Sequence, residues 1–122
     1  MVVFTFLVCV EPYKFEGVDT LLNLGEAIIK KGHEILGVFF YGSGVHSVNN
    51  EVNVGSAMRN LPNKLKDFIE NHTIGLSACS TWVNFTGLKS EKFIPGACQV
   101  GLGGLSEWMA QSDRVIVFGP GG

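Results

Sequence analysis

The stretch Ile74-Gly75-Leu76-Ser77-Ala78-Cys79-Ser80-Thr81 decides the fold class that the rest of the chain then supports. Apolar and small residues lead up to one cysteine, and small hydroxylated residues follow it at once. This pattern predicts a short buried strand that ends on Cys79, with Ser80 or Thr81 capping the next helix. Open α/β sheets bind ligands at the carboxyl ends of their strands. Cys79 is therefore a candidate functional residue.

The predicted helix also bears on the chemistry of Cys79. Unpaired N–H groups and the helix dipole favour an anion at a helix N-terminus, so we expect the thiolate to form more easily there. Free cysteines also pack as small hydrophobic residues, and an inert core position is the alternative interpretation.

The residues before this stretch predict a βαβ unit followed by a second helix. The apolar run Val2–Val10 is typical of a strand that is covered on both faces. Val18–Lys31 has an apolar stripe at helical spacing, and Ile35–Tyr41 reads as the next strand, which a right-handed crossover would place beside the first. Pro62 fits the first turn of a helix that runs to about Glu70.

Loops are predicted at the carboxyl ends of these strands, over Glu11–Gly17 and Gly42–Val54. Within the second loop His46 is more simply a solvated side chain than a functional one, and His33 is expected to be a solvated turn residue. Ser56–Asn60 is expected to form one helical turn.

After Cys79 we expect a short helix over Thr81–Phe85, an apolar connector over Phe93–Val100 and a helix from Gly101 to about Gln111. The glycines at the start of this last helix do not fit a phosphate loop, because no clear strand precedes them and the Walker lysine is absent. They indicate close packing instead. Arg114–Phe118 reads as the last strand and Gly119–Gly122 as a frayed tail.

Taken together, the elements predict one domain over residues 1–122, of the three-layer α/β/α class with a mainly parallel sheet. The chain is 46% hydrophobic and only 16% charged, which indicates a sizeable core and further burial between subunits. Trp108 and Met109 are expected in the core or at such an interface. The net charge of −2 gives no reason to expect nucleic acid as a direct partner.

The chain has three cysteines, Cys9, Cys79 and Cys98, and no CxxC pair. Together with the absence of tight Cys/His clustering, this argues against a metal site. The apolar run at the amino end is too short to span a membrane. We therefore expect a cytoplasmic protein with free thiols, no membrane association and no cofactor.

Several segments, in order and at matching spacing, resemble the DsrE/TusD family of sulfur-relay proteins. The resemblance covers nearly the whole chain, from Val2 to Phe118. The segments that carry it are Lys31–Glu34, Val38–Tyr41, Gly44-Val45, Ile74–Cys79, Gly101–Glu107 and Asp113–Val115.

The resemblance implies a flavodoxin-like fold without flavin, in which Cys79 holds the position of the family's sulfur-carrying cysteine. Cys79 would carry sulfane sulfur as a persulfide and act as a sulfurtransferase. The implied partners are further copies of the chain or homologous DsrF/DsrH-like (TusC/TusB-like) subunits in a hexamer, a sulfur-carrier protein as donor and a TusE/DsrC-like acceptor. The implied pathways are tRNA thiolation and dissimilatory sulfur metabolism.

Two other functions stay open at this point. The chain could be a non-catalytic structural subunit of such an assembly. It could also be a small nucleotide- or flavin-binding module, against which the missing phosphate loop counts.

Overall fold

The computed structural model describes residues 1–11, 13, 17–51 and 60–119. The strands are β1 (Val3–Val8), β2 (Glu34–Phe40), β3 (Gly75–Cys79), β4 (Ala97–Val100) and β5 (Arg114–Phe118). The α-helices are α1 (Gly17–Lys30), α2 (Leu61–His72), α3 (Ser80–Thr86) and α4 (Leu102–Gln111). Two 3₁₀ segments lie at Gly42–Val48 and Ser90–Lys92.

The five strands form one sheet in the order β4-β3-β2-β1-β5, and every neighbouring pair is parallel. The chain adds strands in one direction from β1 to β4. Helix α4 then carries it back across the sheet, so that β5 pairs with the free side of β1. Because all strands are parallel, their carboxyl ends meet at one edge of the sheet.

Helices cover both faces of this sheet, which confirms the predicted three-layer α/β/α class. On one face the main core joins alternate strand residues to α1 and α2; its members include Phe6, Val38, Leu21 and Leu65. On the other face a second, smaller cluster forms under α4. None of the helices in the described part of the chain is both long and apolar enough to span a bilayer.

Local sequence signals set the helix ends as expected. Gly32 follows α1 with φ +85°, a left-handed conformation that glycine adopts without strain. At the start of α2 the Asn60 side chain accepts a hydrogen bond from the Asn63 N–H at 3.0 Å, and Pro62 lies in the first turn. The helices predicted before and after the Cys79 strand are both present, as α2 and α3.

Three expectations about the segments that connect helices and strands were wrong. The connector Phe93–Val100 contains β4, so a strand does precede the glycine-rich start of α4. The predicted loop after β2 begins as the 3₁₀ segment Gly42–Val48. His33, expected to be solvated, is half-buried. Its Nδ1 accepts a hydrogen bond from the Val2 N–H at 3.1 Å, and its ring packs edge-on against Phe4. These contacts connect the start of β1 to the turn before β2.

Other expectations fall partly or wholly outside the described residues. The helical turn over Ser56–Asn60 does so except for its last residue, and the tail after Gly119 does so entirely. Most of the Glu11–Gly17 loop is also outside them.

The indole of Trp108 lies directly against the backbone of two central strands. A Cβ atom at Gly37 of β2 would come within 2.5 Å of the ring, and one at Gly75 of β3 within 2.8 Å. Trp108 also meets the Phe39 ring edge-on, with centroids 6.4 Å apart. It is thus a packing residue within the chain, whereas Met109 is exposed.

We expect Gly37→Ala to lower the free energy of unfolding by about 1–3 kcal/mol, because the added methyl must displace the buried indole. Gly103→Ala is the matched control: it lies in α4 with no atom within 4 Å of the new Cβ. Alanine there should be neutral or stabilise by up to about 1 kcal/mol. Urea denaturation of both variants measures the difference, and equal stabilities would contradict the close packing.

Candidate functional site

Cys79 is the last residue of β3 and the residue that precedes the first turn of α3. Its backbone is extended, with φ −62° and ψ 120°, and its side chain makes no capping hydrogen bond. Strand β3 is an interior strand, paired with β2 on one side and β4 on the other. The predicted strand end at Cys79 is therefore confirmed. The predicted cap was wrong, because Cys79 itself precedes α3 at the N-cap position, whereas Ser80 and Thr81 already lie within the helix.

An apolar shell surrounds the Cys79 side chain on the face of the sheet that α4 covers. Cys79 is only 1% exposed and packs with Phe39 of β2 and Leu105 of α4. Partly buried side chains complete this shell: Leu7, Tyr41, Trp82, Val100 and Trp108. Water and dissolved thiols are therefore kept from the sulfur atom in this conformation.

An aromatic ladder leads from this shell to the surface. The ring of Tyr41 meets that of Trp82 with centroids 5.8 Å apart, and Trp82 meets Phe85 at 5.6 Å, both edge-on. Phe85, at the outer end, is 73% exposed. These three residues could not be grouped from the sequence, because Tyr41 comes from a different part of the chain.

The 3₁₀ segment Gly42–Val48 lies at the same carboxyl edge and packs against α3 and β3. Its His46 lines a surface groove with residues of the α3 C-terminus and with the exposed ion pair Lys92–Glu51, whose Nζ–Oε1 distance is 3.0 Å. The hydrogen bond and the charge of Glu51 raise the pKa of Lys92.

The other two thiols lie in different surroundings. Cys9, just beyond the end of β1, is half-buried, and its N–H donates to the carbonyl of Phe118 at 2.9 Å. Burial raises the pKa of the Cys9 thiol, so it stays protonated, and a poor nucleophile, at neutral pH. Cys98 is exposed on β4, next to the strand of Cys79. In the described part of the chain no group of three or more metal-binding side chains comes together.

The fold and this site define a class: a parallel α/β protein with one shielded thiol at the carboxyl end of an interior strand. The chain belongs to the DsrE/DsrF-like family, whose model matches residues 2–118.

Two relatives match along most of their length. The chain is 28% identical over 119 residues to a DsrE protein of Allochromatium vinosum, covering 88% of this chain and 92% of the relative. It is 26% identical over 126 residues to the sulfurtransferase TusD of Salmonella arizonae, covering 94% and 98% respectively.

Solved structures share the fold. The ychN protein of E. coli superimposes with a TM-score of 0.83 over 97% of this chain and all of that chain, at 19% identity. A protein of unknown function, MTH1491 from Methanobacterium thermoautotrophicum, gives a TM-score of 0.72 over 96% of this chain and 99% of that chain, at 16% identity.

The apolar shell yields a prediction about access to Cys79. Leu105→Ala removes the side chain that α4 lays over the thiol and should speed alkylation of Cys79 by about tenfold or more, since local opening costs less. Leu102→Ala on the same helix is the control, because Leu102 is exposed and outside the shell. Peptide mass spectrometry measures the rate at which Cys79 is alkylated in each variant. Equal rates in both variants would contradict the shielding role of Leu105.

Proposed function

We propose that this protein is a sulfurtransferase of the carrier type, which accepts sulfane sulfur on Cys79 as a persulfide and passes it to an acceptor thiol. The position of Cys79 carries the proposal: it ends an interior strand and immediately precedes α3. In the resemblance to the family it also holds the place of the sulfur-carrying cysteine. The names of the relatives, one of which is a sulfurtransferase TusD, support a role in sulfur transfer.

The chemistry is thiol exchange and needs few side chains. The Cys79 thiolate attacks the outer sulfur of a donor persulfide, a new S–S bond forms, and the donor leaves as a thiolate. An acceptor thiolate later attacks that outer sulfur, and Cys79 is released as a thiolate.

The apolar shell suits a carrier that must hold a reactive group between these steps. A persulfide buried beside Phe39 and Leu105 is protected from reduction by dissolved thiols. The exposed ring of Phe85 offers a protein partner an apolar contact near the site. The proposed apolar contact therefore lies near the C-terminal end of α3, and no direct nucleic acid contact is part of the proposal.

The proposal includes protein partners on both sides of the reaction: a sulfur-carrier donor and a TusE/DsrC-like acceptor. The sulfur transfer that we propose would belong to one of two pathways, tRNA thiolation or dissimilatory sulfur metabolism. The alternative is a structural subunit of a DsrE-type oligomer, in which Cys79 would take up no sulfur.

We expect the chain to gain the mass of one sulfur atom when it is incubated with glutathione persulfide, and Cys79→Ser to abolish the stable gain. Cys9→Ser and Cys98→Ser are the matched controls and should reach the same final loading of Cys79 as the unchanged protein. Intact-mass and peptide mass spectrometry measure loading and its site. A wild-type chain that takes up no sulfur on Cys79 would support the structural subunit instead.

We also propose that the chain assembles with copies of itself through the face that carries α4. Leu102 and Met109 lie seven residues apart on one side of α4 and are 51% and 46% exposed. Val117 of β5 is 57% exposed. Such exposed apolar residues are typical of a subunit contact.

The double variant Leu102→Asp/Met109→Asp should therefore split the oligomer into smaller species, because two carboxylates cannot be buried unpaired in an apolar contact. Gln111→Asp is the control: it is exposed and lies nine residues after Leu102, about half a turn around α4, so the assembly should stay intact. Light scattering measures the mass of the assembly that each variant forms. A monomeric wild-type chain at micromolar concentration would refute self-assembly.

A further inference from the structure

Two thiols on neighbouring strands differ sharply in access to solvent. Cys79 on β3 is buried under α4, whereas Cys98 on the edge strand β4 is exposed. A sulfur atom held on Cys79 must nevertheless arrive from a donor and leave to an acceptor. Direct attack on Cys79 requires Leu105 or its neighbours to move first.

The strand register places Cys98 beside this site. Ser77 of β3 lies opposite Cys98, and Cys79 lies opposite Val100. Val100 packs into the shell around Cys79, and Cys98 precedes it by two residues, so both project from the same face of the sheet. Cys79 and Cys98 are thus diagonal neighbours on the face that carries α4.

The diagonal separation suits the passage of a sulfur atom better than a direct disulfide. Neighbouring strands lie about 4.8 Å apart and two residues along a strand span about 6.6 Å, so the Cα atoms of such diagonal neighbours are about 8 Å apart. A disulfide needs about 4.4–6.8 Å, but one extra sulfur between the two thiols adds an S–S bond of about 2 Å. A persulfide on Cys79 therefore reaches Cys98, whereas the two bare thiols are too far apart to join.

We propose that Cys98 is the exchange thiol of this protein, through which sulfane sulfur enters and leaves the buried Cys79. The proposal rests on the persulfide function of Cys79. In the outward step the Cys98 thiolate attacks the outer sulfur of the Cys79 persulfide. The S–S bond to Cys79 breaks, its electron pair stays on the Cys79 sulfur, and the proton remains on the transferred sulfur.

The inward step is the reverse, so nothing is oxidised or reduced and no further reactant is needed. A small-molecule persulfide loads the exposed Cys98, and Cys98 passes the sulfur to Cys79. Cys9 takes no part, because β2 lies between its strand and β3 and puts it about 10 Å from the site. Cys9 thus provides a matched control for the loss of one thiol.

The test is a time course with glutathione persulfide as donor and reduced glutathione as acceptor, quenched by alkylation. Peptide mass spectrometry then reads the sulfur on each cysteine. In the wild type, sulfur should appear on the Cys98 peptide before the Cys79 peptide. In Cys98→Ser, both loading and unloading of Cys79 should slow by about tenfold or more while the final loading is kept, since each event waits for local opening. Cys9→Ser should match the wild type.

The outcomes separate this inference from the function on which it rests. Equal rates of Cys79 loading in the wild type, Cys98→Ser and Cys9→Ser would overturn the exchange role and leave Cys79 as the carrier. Absence of sulfur on Cys79 in every chain, even at long times, would overturn both.

The register can be tested separately by mild oxidation. The wild type should form no Cys79–Cys98 disulfide, whereas Cys98→Ser/Val100→Cys should form one with Cys79, because directly opposed residues lie only about 5 Å apart. A ready Cys79–Cys98 disulfide in the wild type would overturn the separation on which sulfur passage depends.

Discussion

The contact between the Trp108 ring and the backbone of β2 and β3 determines how α4 packs on its face of the sheet. Gly37 and Gly75 leave the space that the indole occupies. The end of α4 is held as well, because the Ser112 hydroxyl donates to the Trp108 carbonyl at 2.7 Å and also pairs with the Thr5 hydroxyl of β1. With the helix seated in this way, Leu105 lies over Cys79. The shielding of the thiol therefore depends on a contact one helical turn away.

The position of Cys79 could be predicted from the sequence because the signals that set it are local. A short apolar run that ends in a cysteine and small polar residues predicts the end of a strand, although the hydroxyl cap expected after it does not form. The burial of the thiol could not be predicted in the same way. Its shell joins Phe39 and Leu105, which lie 40 residues before it and 26 after it, so only the tertiary fold brings them together. The aromatic ladder from Tyr41 to Phe85 was missed for the same reason.

The fold class was predictable, but one strand was not. Strand β4 has four residues, Ala97 to Val100, and its two middle residues are exposed. It lacks both the length and the alternation that mark a strand, and it exists because its backbone pairs with β3. His33 shows a similar limit: its role depends on the Val2 N–H, 31 residues away along the chain.

The order of the strands has a consequence during synthesis on the ribosome. Strands β1 to β4 emerge first and can pair in sequence, and α4 and β5 follow them. Until they follow, the nascent sheet presents a bare apolar face and leaves the backbone groups of β1 unpaired along one edge, which invites association with other chains. In this interval the Cys79 thiol is open to any oxidant or electrophile that it meets. Helix α4 thus closes the site, and β5 completes the sheet.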